Sequence, residues 1–553
     1  MGASPDLIFG NVDAPRPGPT DQGRLSRFAA RLLLLDGWRR LAVSFLAGGL
    51  ASFSQAPYDF FAVCLISFPV LVWLLDGAVA DAAGGRLRQF AAPFVTGWWF
   101  GFGYFIGGLW WVGNAMMVDL ARYAWALPIA VLALPAILAV FYGLAAALAR
   151  PLWSDGVGRI AALAAAFGLA EWLRSFVLTG FPWNAIGYAA MPVPTLMQSV
   201  GIVGMVGMNA LAVFVFCLPA LLAGALHVRF GTAVFVLLVA LHAGFGTVRL
   251  SLPADGEADR LAVRMVQPSI DQSEKWNASV RDRIFKTFLD LSARDPGQGG
   301  RSPSLILWPE TSVPFILQER PDALSALGDL IEDDQVLLTG AVRVEGDAAD
   351  PDARFYNAVV GISPAGVIFD AVDKVHLVPL GEFVPFEDLL ARVGVTKLVD
   401  LPGSFSPGGQ RHAIKVAPGV SALAYICYEV IFPGLVAAET RDANLIINVT
   451  NDAWYGRTPG PYQHLRQAQI RAVEAGRPLI RAANNGITAA VDSHGRLIDA
   501  LALDAVGILD VDLSLAPANR LRTNHAATVG WGLIAVLAIC ALLLQLRSTK
   551  RRD

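Results

Sequence analysis

Long apolar runs separated by short polar segments make up most of the first 250 residues of the chain. A helix needs about 20 mostly apolar residues to cross a lipid bilayer. Seven runs of this kind precede residue 251, although Pro57 leaves little room between the first two, and an eighth lies near the C-terminus. The pattern predicts a polytopic α-helical membrane bundle of about eight spans, at roughly 41–56, 58–77, 90–114, 123–149, 158–178, 196–224, 229–249 and 526–546.

Residues 251–524 follow a different pattern, in which short β-branched or apolar runs alternate with helical segments. This alternation predicts one α/β domain with buried sheets. The predicted strands are 261–267, 304–310, 335–344, 357–363, 366–372, 421–429 and 444–450, followed by LIRAAN, TAAVDS and GILDVDL. The predicted helices are about 278–293, 322–332, 431–440 and 461–475.

Basic residues beside the predicted spans indicate orientation, because Lys and Arg favour cytoplasmic flanks. Five arginines lie between residues 24 and 40, just before the first span, and a basic tail follows the last one. Both termini are therefore expected in the cytoplasm and residues 251–524 outside, which in a bacterium is the periplasmic or extracellular face. The predicted parts are a cytoplasmic N-terminal segment 1–40, a seven-span domain 41–250, the outside domain 251–524, and a C-terminal transmembrane helix with a basic tail, 525–553.

The composition agrees with a membrane protein and excludes some other classes. Of the 553 residues, 55% are hydrophobic and 16% are charged, which makes a disordered or ordinary soluble chain a poor description. The formal net charge of −3 gives no indication of nucleic-acid binding. The four cysteines form no Cys-Cys or Cys-His spacing typical of a zinc or iron–sulfur site, so we expect no metal.

One cysteine, Cys427, lies outside the long apolar runs, at the end of the strand-like segment ALAYIC. In an oxidising compartment a structural cysteine usually has a disulfide partner, and this domain contains no second cysteine. A lone thiol in an exported domain indicates a reactive group. The alternative is that Cys427 is a small hydrophobic core residue.

Two other predicted strands also end near a chemically reactive side chain: LILWPE ends in Glu310 and VIFDAVDK in Lys374. Each has an ordinary alternative, since Glu310 fits a helix start and most lysines lie on the surface. Together with Cys427 they predict one site, because strand ends in a layered α/β domain meet at one edge.

A carboxylate, an ammonium and a thiol are a consistent set for acyl transfer. The thiolate is the nucleophile, and Glu310 can accept its proton and later return one. Lys374 and the backbone N–H of Tyr428 can stabilise the oxyanion of a tetrahedral intermediate. The set predicts acyl transfer through a Cys427 thioester, which is redox-neutral and needs no cofactor.

The segments WPET, DKVHLVPLGEFVPF and ICYE resemble the Glu-Lys-Cys triad of the nitrilase superfamily. Residues of about 40–546 resemble the apolipoprotein N-acyltransferase family of Gram-negative bacteria, a membrane-integrated branch of that superfamily. The similarity also covers ASFSQAPYDFF, GFPWNAIGY, QPSIDQSEKW, NVTNDAWYG and GPYQHLRQAQIRAVEAGRPLIRAANNG. It implies an extramembrane α-β-β-α sandwich, with Glu310 as general base, Lys374 as oxyanion stabiliser and Cys427 as nucleophile.

The same resemblance implies roles for further residues. Glu382 matches a carboxylate that supports the lysine, and the family also uses the positions of Tyr428, Glu429, Trp276 and Asn357. For three of them ordinary alternatives stay open: a salt bridge for Glu429, packing for Trp276 and a turn for Asn357.

Two apolar segments bear on lipid access. Trp183, in GFPWNAIGY, either lines the path of an acyl chain or is an interface aromatic. Residues 385–405 form either a lid that dips into lipid or a helix packed on the domain. Glu171 and Arg174, three apart near the end of the fifth span, indicate a polar patch or a mutual ion pair.

The resemblance implies a bacterial inner-membrane enzyme with its catalytic domain in the periplasm. Its donor would be a membrane phospholipid, and its acceptor the α-amine of the N-terminal diacylglyceryl-cysteine of an apolipoprotein. A membrane-tethered amidase that uses water as acceptor is the first alternative. A receptor or scaffold with a retired catalytic domain is the second, although no member of the triad is missing.

Overall fold

The computed structural model describes most of the chain. The described residues are 23–78, 85–118, 121, 124–224, 228–252, 259–275, 277–296, 301–350, 352–379, 381–383, 405–440, 443–515, 517 and 525–549. Of these residues, the part from 24 to 251 is mainly helical, the part from 260 to 514 contains the strands, and a last helix follows at Ala526–Thr549.

The helices before residue 252 follow the predicted apolar runs. They are α1 Arg24–Leu33, α2 Gly37–Ser52, α3 Cys64–Gly77, α4 Gly85–Leu109, α5 Asn114–Met117, α6 Leu127–Ala149, α7 Val157–Arg174, α8 Pro194–Met197, α9 Val200–Cys217 and α10 Val228–Ser251. In the second half they are α11 Arg281–Ser292, α12 Pro321–Leu330, α13 Leu435–Glu439, α14 Pro459–Ala475 and α15 Ala526–Thr549.

Each predicted span overlaps one of these helices, but fewer than eight are clearly able to cross a membrane. Within the described residues, four helical segments are long and apolar enough: Ala124–Leu152, Val200–Ala223, Val228–Ser251 and Ala526–Thr549. Helices α2 and α3 are short, with 16 and 14 residues, and α7 carries three charged side chains in 18 residues. A membrane bundle is therefore supported, and the count of eight spans stays a prediction.

The strands of the second half form two six-stranded sheets. The first has the order β12-β1-β2-β3-β4-β5, and the second the order β11-β10-β9-β8-β7-β6. The strands are β1 Arg260–Gln267, β2 Leu305–Leu307, β3 Val336–Glu345, β4 Arg354–Ile362, β5 Ile368–Asp373, β6 Ile414–Ala417, β7 Val420–Ile426, β8 Leu445–Thr450, β9 Leu479–Ala483, β10 Thr488–Val491, β11 Leu497–Leu501 and β12 Gly507–Ser514.

The two sheets pack face to face, with helices on both outer sides. A buried cluster between the sheets takes residues from both, including Met265, Leu338, Ala424 and Ile447. Helices α11 and α12 cover the outer face of the first sheet. Helix α14 covers the second sheet, and its core is continuous with the core of the apolar helices. The result is a four-layer α-β-β-α sandwich whose second helical layer rests on the membrane part.

Candidate active site

The three triad residues follow strands at one edge of the sandwich. Lys374 comes directly after β5, Cys427 directly after β7, and Glu310 three residues after β2. All three are buried, with exposed fractions of 1% for Lys374, 5% for Cys427 and 7% for Glu310. The surface alternative for Lys374 is therefore wrong, and no helix among the described residues begins at Glu310.

Lys374 lies between two carboxylates. Its Nζ donates to Glu382 Oε1 at 2.8 Å and to Glu310 Oε1 at 3.4 Å. The Asn357 amide also donates to both carboxylates, at 2.9 Å to Glu382 and 2.8 Å to Glu310. Asn357 lies within β4, so the turn alternative is wrong. Burial works to lower the pKa of Lys374, but the charges of Glu382 and Glu310 outweigh it and raise that pKa above its usual value. Lys374 is therefore a permanent cation in this site.

Cys427 sits at a sharp turn, with φ of 51°, a conformation that L-residues seldom adopt. Burial, and next the nearby charge of Glu310, raise the pKa of the Cys427 thiol to about 12, although Lys374 lowers it. The resting sulfur is therefore a neutral thiol and needs a base as it attacks. The Glu310 carboxylate is near enough to affect this pKa, and its other oxygen accepts from Asn451 N–H at 3.0 Å.

Glu429 joins the lysine segment to the cysteine turn. Its carboxylate accepts hydrogen bonds from Val375 N–H at 2.7 Å, His376 N–H at 3.0 Å and Ile426 N–H at 2.8 Å. It also forms an ion pair with the buried Arg411 at 2.5 Å. Glu429 therefore forms the salt bridge of its ordinary alternative and, in addition, fixes the backbone on both sides of the site.

The helical part reaches the site through the GFPWNAIGY segment. The Tyr428 hydroxyl donates to Gly180 O at 2.6 Å, and the Tyr428 ring lies 6.0 Å from the Phe181 ring. Trp183 is 1% exposed, and its indole N–H donates to Gln463 at 2.9 Å. Trp183 is therefore an inner packing residue of the site and not an exposed interface aromatic.

Glu171 and Arg174 hold this segment in place. They form a fully buried ion pair, as one of the two alternatives predicted. The Arg174 guanidinium also donates to Trp183 O at 2.9 Å, and Glu171 accepts from Ile186 N–H at 3.2 Å. The pair connects helix α7 to the loop that packs on Tyr428.

Several residues of the site were not predicted individually. Tyr455 and Thr450 lie near the Cys427 side chain. Lys275 is 4% exposed and donates to Glu310 O at 3.0 Å, and burial lowers its pKa to about 8. A buried cluster of Asp452, His464 and Arg481 lies beneath Cys427. Asp452 and His464 lie in the polar segments NVTNDAWYG and GPYQHLRQAQ, and Arg481 lies in the predicted strand LIRAAN, but nothing local in the sequence marks any of the three as part of the site.

Two expectations fall outside the described residues: Trp276, and all of the 385–405 segment except Phe405. Among the residues that the structure describes, no group of three or more His, Cys, Asp or Glu side chains is arranged to hold a metal ion.

Comparisons with known proteins match both halves of the chain. Residues 47–218 match the family described as the apolipoprotein N-acyltransferase N-terminal domain, and residues 262–523 match the carbon-nitrogen hydrolase family. An apolipoprotein N-acyltransferase of Brucella melitensis is 54% identical over 88% of this chain and 92% of its own length. One from Agrobacterium fabrum is 48% identical over 96% of this chain and 100% of its own.

Among solved structures, a member of branch 10 of the nitrilase superfamily from Saccharomyces cerevisiae is 18% identical, with a TM-score of 0.34, over 47% of this chain and 93% of its own. The high identity to the bacterial enzymes, over nearly their whole length, establishes the family of this chain. The chain belongs to the apolipoprotein N-acyltransferase family.

Proposed function

We propose that the chain transfers a fatty acyl group from a membrane phospholipid to the α-amine of the diacylglyceryl-cysteine at the N-terminus of an apolipoprotein. One observation carries this proposal: a buried Cys427 thiol and a Lys374 ammonium held by Glu310 and Glu382 lie where the sandwich meets apolar helices. With these apolar helices in a bilayer, as the proposal requires, the site lies near the membrane, where an acyl ester and a lipid-modified amine both reside.

In the first step, Cys427 Sγ attacks the ester carbonyl while Glu310 takes the thiol proton. The tetrahedral oxyanion is stabilised by the Lys374 ammonium and the Tyr428 backbone N–H. The C–O bond then breaks, and Glu310 returns the proton to the departing oxygen. The products are an acyl-Cys427 thioester and a lysophospholipid.

In the second step, the free amine of the lipoprotein attacks the thioester carbonyl. Glu310 takes a proton from the attacking nitrogen, the C–S bond breaks, and the Cys427 sulfur recovers a proton. Glu382 and Asn357 hold the Lys374 ammonium through both steps. Electrons and protons balance without a redox partner, so no cofactor is required.

The proposed setting is the bacterial inner membrane, crossed about eight times. Residues 41–250 form the seven-span part, 251–524 the periplasmic catalytic domain, and 525–553 the last span and basic tail, with 1–40 in the cytoplasm. The arginines that precede the first predicted span support this orientation. An export-dependent reporter fused after residue 300 should be active, and a silent reporter there would contradict the orientation.

The test of the reaction is mass spectrometry of the purified protein after incubation with phospholipid vesicles and no acceptor. We expect an acyl adduct on Cys427, protected where the acyl chain excludes water. Cys427→Ala should carry none. If the wild-type protein releases free fatty acid steadily and keeps no adduct, the hydrolase alternative is the better description.

A further inference from the structure

The backbone carbonyl of Cys427 is held by two side chains from below. His464 Nε2 lies 3.1 Å from this oxygen, and the Asn448 amide donates to it at 3.4 Å. A carbonyl oxygen can only accept hydrogen bonds, so this contact is a hydrogen bond in the tautomer whose Nε2 carries the proton. In that tautomer Nδ1 accepts from Arg481 Nη2, which lies 3.1 Å away. His464 thus acts on the backbone of the nucleophile and not on its sulfur.

That carbonyl shares a planar peptide unit with the N–H of Tyr428. The atoms of a peptide bond lie in one plane, so a donor that fixes the C=O also fixes the direction of the N–H on the opposite side. A hydrogen bond to the oxygen also polarises the unit and strengthens the N–H as a donor. The N–H in question is the one proposed above to meet the oxyanion.

The conformation of the turn makes such support necessary. Cys427 has φ of 51°, which costs of order 1–3 kcal/mol in an L-residue and persists only where neighbours enforce it. Glu429 holds the preceding N–H, that of Ile426, and His464 with Asn448 holds the following carbonyl. The turn is therefore fixed from both ends.

The His464 ring is itself rigidly placed. It is fully buried, and its Nδ1 lies 3.0 Å from Asp452 Oδ1 and 3.1 Å from Arg481 Nη2. Arg481 in turn bonds Asp452 Oδ2 at 2.6 Å. The ring of Trp183, from the helical part, lies 5.1 Å from the imidazole. A histidine held on every side can place its Nε2–H accurately.

We propose that His464 is a positioning residue that aims and polarises the Tyr428 N–H toward the oxyanion by donating to the Cys427 carbonyl. The inference rests on the proposed function, since it assigns a role within that reaction. Two roles at Cys427 are then separate. Glu310 activates the sulfur, whereas His464 orients the N–H group that stabilises the negative charge of the oxyanion. Asp452, Arg481 and Trp183 act through the ring.

The test compares two reactions of the same thiol. Acylation by phospholipid passes through a tetrahedral oxyanion, whereas alkylation by iodoacetamide is a displacement that forms none. His464→Met fills similar space but has no donor, and His464→Gln retains an N–H near the position of Nε2. Single-turnover rates of Cys427 acylation and alkylation are measured by mass spectrometry for the wild type and both variants.

Misplacing one oxyanion donor should cost about 10- to 100-fold in rate. We therefore expect His464→Met to lose that much acylation while alkylation stays within about threefold of wild type, and His464→Gln to recover most of the loss. Equal falls in both reactions, or acylation at the wild-type rate, would overturn the proposal. Neither result would affect the proposed function, which depends on whether wild-type protein forms the adduct.

Thermal unfolding shows whether the His464 variants fold. If they do not, a second variant tests the same proposal. Asn448→Ser removes the other donor to the same carbonyl. It should lower acylation more than alkylation, by a smaller factor because its contact is longer. If Asn448→Ser slows the two reactions equally, the carbonyl has no special part in oxyanion stabilisation and the proposal is wrong.

Discussion

Arg466 and Asp59 form two parallel hydrogen bonds, of 2.8 and 3.0 Å, between the catalytic sandwich and the helical part. Arg466 lies on α14, the helix that also carries Gln463 and His464, and Asp59 lies in the loop between α2 and α3. Such paired bonds between a guanidinium and a carboxylate are directional as well as attractive. The contact therefore sets the orientation of the helix beneath Cys427 relative to the apolar helices.

Asp59→Asn should loosen this connection. The Arg466 and Asp59 side chains are only 17% and 30% exposed, so their ion pair should stabilise the fold more than a fully solvated pair does. We expect this ion pair to contribute about 1 kcal/mol to the free energy of unfolding. We expect a lower thermal midpoint in detergent. Glu274→Gln is the matched control, because it breaks an ion pair with Arg283 whose side chains are 52% and 64% exposed. Equal thermal midpoints for the two variants would show that the Arg466–Asp59 contact does not contribute to stability more than an exposed ion pair does.

Glu429→Gln should be far more damaging. The Glu429 carboxylate is fully buried and accepts three backbone N–H groups and the Arg411 guanidinium. An amide offers one accepting oxygen and turns an NH2 toward a donor. Leaving a buried charge without its partner costs about 3–5 kcal/mol. Denaturant unfolding measures the loss.

Glu439→Gln provides the control for that experiment. Glu439 also pairs with Arg411, but its side chain is 32% exposed, and its other hydrogen bond comes from the Tyr425 hydroxyl. It makes no hydrogen bond to the backbone beside Lys374. We expect a small loss of stability and substantial retained activity. Equal losses in the two variants would mean that Glu429 matters only through Arg411.

Lys374→Met should abolish transfer and leave the protein folded. Methionine keeps much of the apolar stem but removes the ammonium between Glu382 and Glu310. Loss of one oxyanion donor typically lowers the rate about 100- to 1,000-fold. Lys286→Met is the control, since Lys286 is 72% exposed and, within the described part of the chain, forms an ion pair with Asp290 on α11 alone. Activity of Lys374→Met near the wild-type level would remove Lys374 from the mechanism.

The reactivity of Cys427 should rise with pH over an unusually wide range. Burial, chiefly, raises the pKa of its thiol to about 12, so at pH 7–10 the thiolate is a minor species that grows about tenfold per pH unit. Alkylation of Cys427 by iodoacetamide, followed by peptide mass spectrometry, should show no plateau up to pH 10. A cysteine in a short unstructured peptide, with a reference pKa of about 8.5, should approach its plateau by about pH 10 under the same conditions. A plateau for Cys427 below pH 8 would indicate a preformed thiolate–lysine pair instead.

Much of this architecture is predictable because its signals are local. The apolar runs are long, so each overlaps a helix, and the central strands are buried on both faces and read as unbroken apolar segments. The strands that sequence reasoning missed are β6 and β11, the two edges of the second sheet. β6 has four residues, and β11 is largely exposed, so neither has the composition of a buried strand.

The residues of the site also fall into two groups: those that the strand pattern predicts and those that only tertiary packing brings together. Cys427 directly follows the buried strand β7, Glu310 lies three residues after the buried strand β2, and Lys374 directly follows the partly exposed edge strand β5. The ends of these strands bring the three residues to one edge of the sandwich. His464, Asp452 and Arg481 come from a helix, a turn and the interior of β9, and only the packing of α14 on the second sheet joins them. Nothing local distinguishes them from ordinary polar residues.

The acceptor should decide the fate of the Cys427 thioester. A diacylglyceryl peptide with a free N-terminal amine should discharge the adduct into an amide, because its nitrogen has a lone pair for attack and a proton to give to Glu310. The same peptide with an acetylated amine should leave the adduct intact, since that lone pair is delocalised. Mass spectrometry of protein and peptide follows both, with Cys427→Ala as the blank. If the amide appears in wild-type protein while no adduct forms under any condition, transfer is direct, and Cys427 acts in some way other than as an acyl carrier.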